Sequence, residues 1–186
     1  MDIGTYVYKE NNERGLVYAI FRSILTEDES NVLARKYNDS ENFYFKLERN
    51  SGNSRHYQDL MEFLSFSNYK GKMKHDDSVF SEKTFGELYK PVEIVPIEKR
   101  VKVGEIYADS DGNRVYVLGV VMTSLKDDEH TIIIRKIIND KFNNYINYNH
   151  EQFGATPDLY NCLFIERKTF IERYKMKRLK YAYEEV

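Results

Sequence analysis

A chain of 186 residues with 41% hydrophobic and 31% charged side chains can close a core beneath an ordinary polar surface. Its net charge of −2 excludes a general excess of lysine and arginine for wrapping nucleic acid, and is too small for a wholesale mimic of DNA. The longest apolar run, residues 115–122, is too short to span a bilayer, the N-terminus lacks signal-peptide character, and a single cysteine, Cys162, excludes an internal disulfide, so a cytoplasmic protein without membrane contact is expected.

In chain order, Tyr6-Val7-Tyr8 reads as a short strand, Asn11-Asn12-Glu13 as a turn, and the stretch from Leu16 to Leu25 as a long buried strand. An acidic loop, Glu27-Asp28-Glu29, precedes two further strands, from Val32 to Tyr37 and from Phe43 to Leu47, around Asn38-Asp39-Ser40. Residues 55–66 carry a helical pattern with Leu60, Phe63 and Leu64 on its apolar face. The phrase Lys83-Thr84-Phe85-Gly86-Glu87-Leu88-Tyr89-Lys90 then has the Thr-x-x-Glu spacing of a capping box, which predicts a helix start with Phe85 and Tyr89 on one face. Pro91 to Lys102, with two prolines, is expected to be an extended linker.

The plan then recurs. Glu105 to Ala108 is strand-like, Asp109 to Asn113 contains the hairpin pair Asp-Gly, and Arg114 to Leu125 is an almost continuous apolar strand. An acidic loop at residues 126–129 leads to a β-branched strand from Thr131 to Ile138, and a further strand is expected from Asn143 to Tyr148. Leu163-Phe164-Ile165 precedes Lys168-Thr169-Phe170-Ile171-Glu172-Arg173-Tyr174-Lys175, the second copy of the capped-helix phrase. Displacing the chain by one hundred positions superposes Arg14 on Arg114, Val17 on Val117, Asp28-Glu29 on Asp128-Glu129 and Arg35-Lys36 on Arg135-Lys136. Self-similarity of this length predicts an internal duplication. The expected units are a first module over 1–92 with a helical insertion, a linker over 93–103, and a second module over 104–186 with a basic C-terminal helix.

Short, curved strands followed by a brief helix predict a β-rich α+β protein made of two small, partly open barrels, each closed by its helix. Gly104, Tyr107, Asp111-Gly112-Asn113, Tyr116 to Val120, Arg135 and Lys168-Thr169-Phe170 together resemble small SH3-like bacterial and phage domains of unknown function. The resemblance covers the second half and, through the duplication, implies the same barrel for the first. It brings no catalytic residues or cofactor with it. Gly15 and Ala19 depart from the pattern where the second half has Val115 and Gly119.

Several residue sets could carry chemistry. His56, Asp59 and Glu62 stand three apart on the expected helix, a spacing that could share a metal or a proton in a small metal-dependent nuclease, although a wet helical face has the same pattern. Asp109, Asp111 and Asn113 open like a calcium loop, but a buried strand runs where the later ligands would fall, which leaves a hairpin turn. The duplicated acidic loops, with Asp128 and Glu129 in the second, would offer matching edges to a partner if the copies sit about a twofold axis. On a C-terminal helix, Arg173, Lys177 and Lys180 would share a face, with Tyr174 and Tyr181 interleaved. Cations that neutralise phosphate, beside rings that stack on bases, suit RNA or single-stranded DNA and equally an acidic protein surface.

No set of titratable groups converges as catalysis requires, so a non-enzymatic binding protein without cofactors is expected. Abundant Tyr, Asn, Lys and Ile point to an AT-rich genome, and 16 tyrosines suit a protein interface. Together these predict a phage or mobile-element protein that docks on and inhibits a host protein or ribonucleoprotein machine, in the manner of an anti-CRISPR or other counter-defence protein. A nucleic-acid-binding module centred on the basic C-terminus is the alternative.

Overall fold

A computed structural model describes residues 1–22, 30–37, 55–65, 70–75, 77–94, 100–124, 129–138, 141–142, 162–174 and 176–179. The first half comprises β1 (Gly4–Tyr8), β2 (Arg14–Phe21), β3 (Asn31–Lys36), α1 (Arg55–Ser65), β4 (Gly71–Lys72), β5 (Ser78–Ser81), α2 (Glu82–Leu88) and β6 (Tyr89–Ile94). The second comprises β7 (Ile106–Ala108), β8 (Arg114–Ser124), β9 (Glu129–Ile138), β10 (Lys141–Phe142), β11 (Leu163–Glu166), α3 (Arg167–Arg173) and β12 (Met176–Leu179). The β-rich expectation holds, but where two separate, partly open barrels were expected, among the described residues the strands of both halves join one twelve-stranded antiparallel sheet that is not a closed barrel. Among the described residues no helix is long and apolar enough to cross a membrane.

Pairing within the halves follows the same scheme. In the first, β1 pairs with β2 and β6, β2 with β3, and β3 with β5. In the second, β7 pairs with β8 and β12, β8 with β9, and β9 with β11. The register of β2 on β3 slips between Val17 and Ala19, and that of β8 on β9 slips between Val117 and Gly119, one hundred residues later. A bulge at the same place in two long strands bends both at the same point. The β1–β2 hairpin departs from that offset, because its closing bond, from Tyr8 N–H to Glu13 O, spans one residue more than the bond from Asp109 N–H to Asn113 O. Tyr6 therefore corresponds to Tyr107.

The halves join through β2 and β8. Ala19 lies opposite Val121, Ile20 opposite Val120 and Phe21 opposite Gly119, so the register maps onto itself when one half is exchanged for the other. A local twofold axis passes between Ile20 and Val120. Both strands lie in the middle of the sheet and are buried along nearly their whole length, which explains their continuous apolar sequences. Helix α1 covers β2 with Leu60, Phe63 and Leu64, all buried, and the Phe63 ring meets that of Phe21 edge-on at 6.3 Å.

The repeated phrase forms α2 and α3, with a correction to its cap. Thr84 lies inside α2, and the cap is Ser81, whose Oγ accepts the Thr84 N–H at 3.1 Å. Glu166 precedes α3 without a side-chain cap. Phe85 stacks on Tyr89 at 4.3 Å and meets Tyr6 edge-on at 5.1 Å. Phe170 packs on Tyr174 at 4.9 Å and meets Tyr107 edge-on at 5.2 Å. Each helix thus seats one fully buried phenylalanine between two tyrosines of its own half. Neither helix exceeds seven residues. The expected boundary at residue 92 falls inside β6, which continues to Ile94 along β1 and tolerates Pro91 because it lies at an edge. The expected strands over 43–47 and 143–148 lie outside the described residues.

Candidate functional site

The C-terminal basic helix does not extend as its sequence predicts. Helix α3 ends at Arg173, and Met176–Leu179 forms β12, placing Met176 opposite Ala108 and Leu179 opposite Ile106. The open side of β7 recruits this backbone just as β1 recruits β6. Arg173 is exposed, but Tyr174 is buried against Phe170 and cannot stack on a base from solvent. Lys177 lies in β12 and not on a helical face, and Glu129 opens β9; their side chains are outside those described. Lys180, Tyr181 and Asp128 fall outside the described residues.

The second candidate set also separates. Asp59 is fully buried whereas Glu62 is exposed, so they do not share a wet face, and the His56 side chain is outside those described. Asp59 Oδ1 accepts the His75 N–H at 3.1 Å and Oδ2 accepts the Asp77 N–H at 3.3 Å. It therefore ties α1 to the loop before β5. Among the described residues no group of three His, Cys, Asp or Glu side chains is placed to hold a metal.

That loop forms part of a cleft missed by the sequence reading. A space of about 530 Å³ opens in the first half between the start of β2, the end of β3, β4 and β5. Arg14, Arg35, Lys36 and Lys72 supply its cations, Glu13 and Asp77 its carboxylates, His75 an imidazole, and Phe80 and Tyr89 its rings. Lys36 and Glu13 approach at 3.9 Å across exposed surface, a contact of little energetic weight. Asp77 is buried and accepts the Tyr18 O–H at 2.5 Å, which fixes its carboxylate from beneath. Burial, reinforced by the Asp77 charge, holds the Tyr18 phenol well above its ordinary range, so it stays a donor.

Two small residues make the space. Gly15 faces the Tyr89 ring, and a Cβ there would meet it at 3.4 Å, while Ala34 lies on β3 nearby. Their counterparts in the second half are Val115 and Ile134, both buried, and the counterpart of Arg35 is the fully buried Arg135. The contrast of Gly15 with Val115, flanked by Arg14 and Arg35-Lys36, is the one trace of the cleft visible in sequence. No family model, curated protein or solved structure matches the chain. The geometry of the cleft and the symmetry of the fold are therefore the grounds for a functional reading.

The buried Asp59 predicts a pH dependence. Burial, the largest cause, together with the Asp77 charge raises the Asp59 carboxyl above its ordinary value of 3.8, although the two backbone donors oppose the shift. The folded chain then holds this proton more tightly than the unfolded chain. Stability from this group is complete below the unfolded value and is lost as pH rises through the folded one. Urea midpoints measured across that window should show this fall in the parent protein, and the component should be missing in Asp59→Asn.

Proposed function

We propose that this chain is a non-catalytic binding protein of two tandem SH3-like modules, copies of one ancestral unit, in which the first module presents a basic cleft to an anionic group of its partner. The matched strand pairing, the coincident bulges and the self-mapping register of β2 with β8 support the duplication. The single observation that carries the binding reading is the cleft itself, opened by Gly15 and Ala34 and lined by four cations. A volume of about 530 Å³ lies within the range of small-ligand sites. Arginine forks match the planar, two-oxygen face of carboxylates and phosphates. We place this activity in a phage or mobile-element protein that docks on and inhibits a host protein or ribonucleoprotein machine, a setting supported by the tyrosine-rich, AT-biased composition.

Titration of the isotopically labelled protein with inorganic pyrophosphate tests the site. Amide shifts should centre on Gly15, Arg35, Lys72 and Ser78, and Lys72→Glu, at an exposed position on β4, should weaken binding about tenfold. Shifts spread equally over both halves would reject the cleft as the site.

A further inference from the structure

We infer that the closing helix of the second half is held by a pH-sensitive latch, the contact between Arg167 at the start of α3 and His130 on β9. Arg167 Nη1 and His130 Nδ1 lie 2.9 Å apart. A guanidinium only donates, so Nδ1 is the acceptor, and the imidazole is neutral with its proton on Nε2. An imidazolium carries hydrogens on both nitrogens, cannot accept this bond, and sets a second positive charge against the first. Protonation of His130 therefore opens the contact.

Solvent does little to relieve that charge. His130 is buried and borders a space of about 30 Å³, room for one or two waters, beside Ile20 and Val120 at the local twofold axis. Other elements bring charged groups to the same space. Asp2, before β1, and Arg100, before β7, meet each other at 3.3 Å, and the Met1 amine is directed to Glu82. Opposite His130 on β8 stands Met122, while Glu166, on β11 opposite Thr131, is exposed. On β9 itself the Glu129 side chain lies outside those described.

The first half is fastened differently at the same place. The counterparts of His130 and Arg167 are Ser30 and Glu82, joined by a backbone bond from the Glu82 N–H to the Ser30 carbonyl at 2.9 Å. Ser81 caps α2, whereas α3 begins without a side-chain cap. Neither the serine cap nor the backbone bond titrates, so acid loosens α3 and spares α2.

Hydrogen exchange of the full chain, corrected for the pH dependence of the intrinsic rates, tests the latch at two equivalent amides. The Tyr174 N–H is bonded to the Phe170 carbonyl at the end of α3, and the Tyr89 N–H to that of Phe85 at the end of α2. The Arg167 contact favours the neutral ring, so the closed state is fully stable above the ordinary histidine value and loses stability as pH falls below it. With that value at about 6.5, protection of Tyr174 should fall about tenfold between about pH 7.5 and about pH 5.5, while that of Tyr89 holds. His130→Asn keeps an acceptor near the Nδ1 position and cannot titrate, so its Tyr174 protection should not change over the interval. Unchanged Tyr174 protection in the parent, equal falls at Tyr174 and Tyr89, or the parent's fall persisting in His130→Asn overturns the latch. Ring-nitrogen NMR of the parent keeps it falsifiable if His130→Asn does not fold: Nδ1 of His130 should carry no proton at neutral pH, and a proton there overturns it.

Discussion

Phe85→Ala and Phe170→Ala are each expected to lower stability by about 4 kcal/mol, measured as the shift in urea midpoint at constant slope. Both rings are fully buried, and each is held by one tyrosine four residues onward and another from the first strand of its half. Removing either ring leaves a cavity beside one tyrosine whose hydroxyl end is tethered, Tyr6 to the Asp2 carbonyl at 2.6 Å in the first half and Tyr107 to Glu105 at 3.2 Å in the second. Those tethers limit collapse into the hole, which places the cost towards the upper part of the usual range. Losses of similar size are required if the two helices do the same work. A loss below about 1 kcal/mol for one of them would show that its half does not depend on the aromatic seat.

Gly119→Val carries the second large effect, about 3 kcal/mol of destabilisation. Gly119 stands opposite Phe21 where the halves meet, and a Cβ built there would come within 2.9 Å of the Ile20 carbonyl oxygen, 3.1 Å of the Phe21 ring and 3.2 Å of Ile133. The nearest of these is backbone of the partner strand, which cannot move without parting β2 from β8. The counterpart across the axis is Ala19, also small, and the bulge in each strand adjoins this residue. Thermal unfolding of Gly119→Val should show the two halves melting separately, because this strand pair is their principal hydrogen-bonded junction among the described residues. A variant with the parent's melting curve would contradict the close approach.

Much of the fold was legible because it is written twice. The long strands β2 and β8 announce themselves as unbroken apolar runs, and the hundred-residue offset recovers the register of β2 on β3 from that of β8 on β9. The four-residue spacing of Phe85 with Tyr89 and of Phe170 with Tyr174 recovers the helix seats. What failed did so for local reasons. Lys175 to Lys180 has the composition of a helix end, but β7 presents an open edge that only a returning strand can satisfy, a requirement set by tertiary structure and invisible to propensity. Asp59 looked like part of an exposed stripe because its partners are backbone N–H groups sixteen and eighteen residues away, which carry no residue signature. The cleft was missed because its cations come from three separate strands. Only the contrast of Gly15 with Val115 betrays it, and the sequence presents that contrast, together with Ala19 against Gly119, as a departure from the barrel pattern and not as the gain of a space.

That contrast also supplies the sharpest test. Gly15→Val with Ala34→Ile writes the second half's residues into the first, and the Cβ at Gly15 meets the Tyr89 ring only at ordinary contact distance. The double variant should unfold at or above the parent's temperature, since β-branched residues suit a strand, yet pyrophosphate should no longer move the amides around Arg35. A folded double variant that binds pyrophosphate as the parent does would contradict the assignment of function to this cleft.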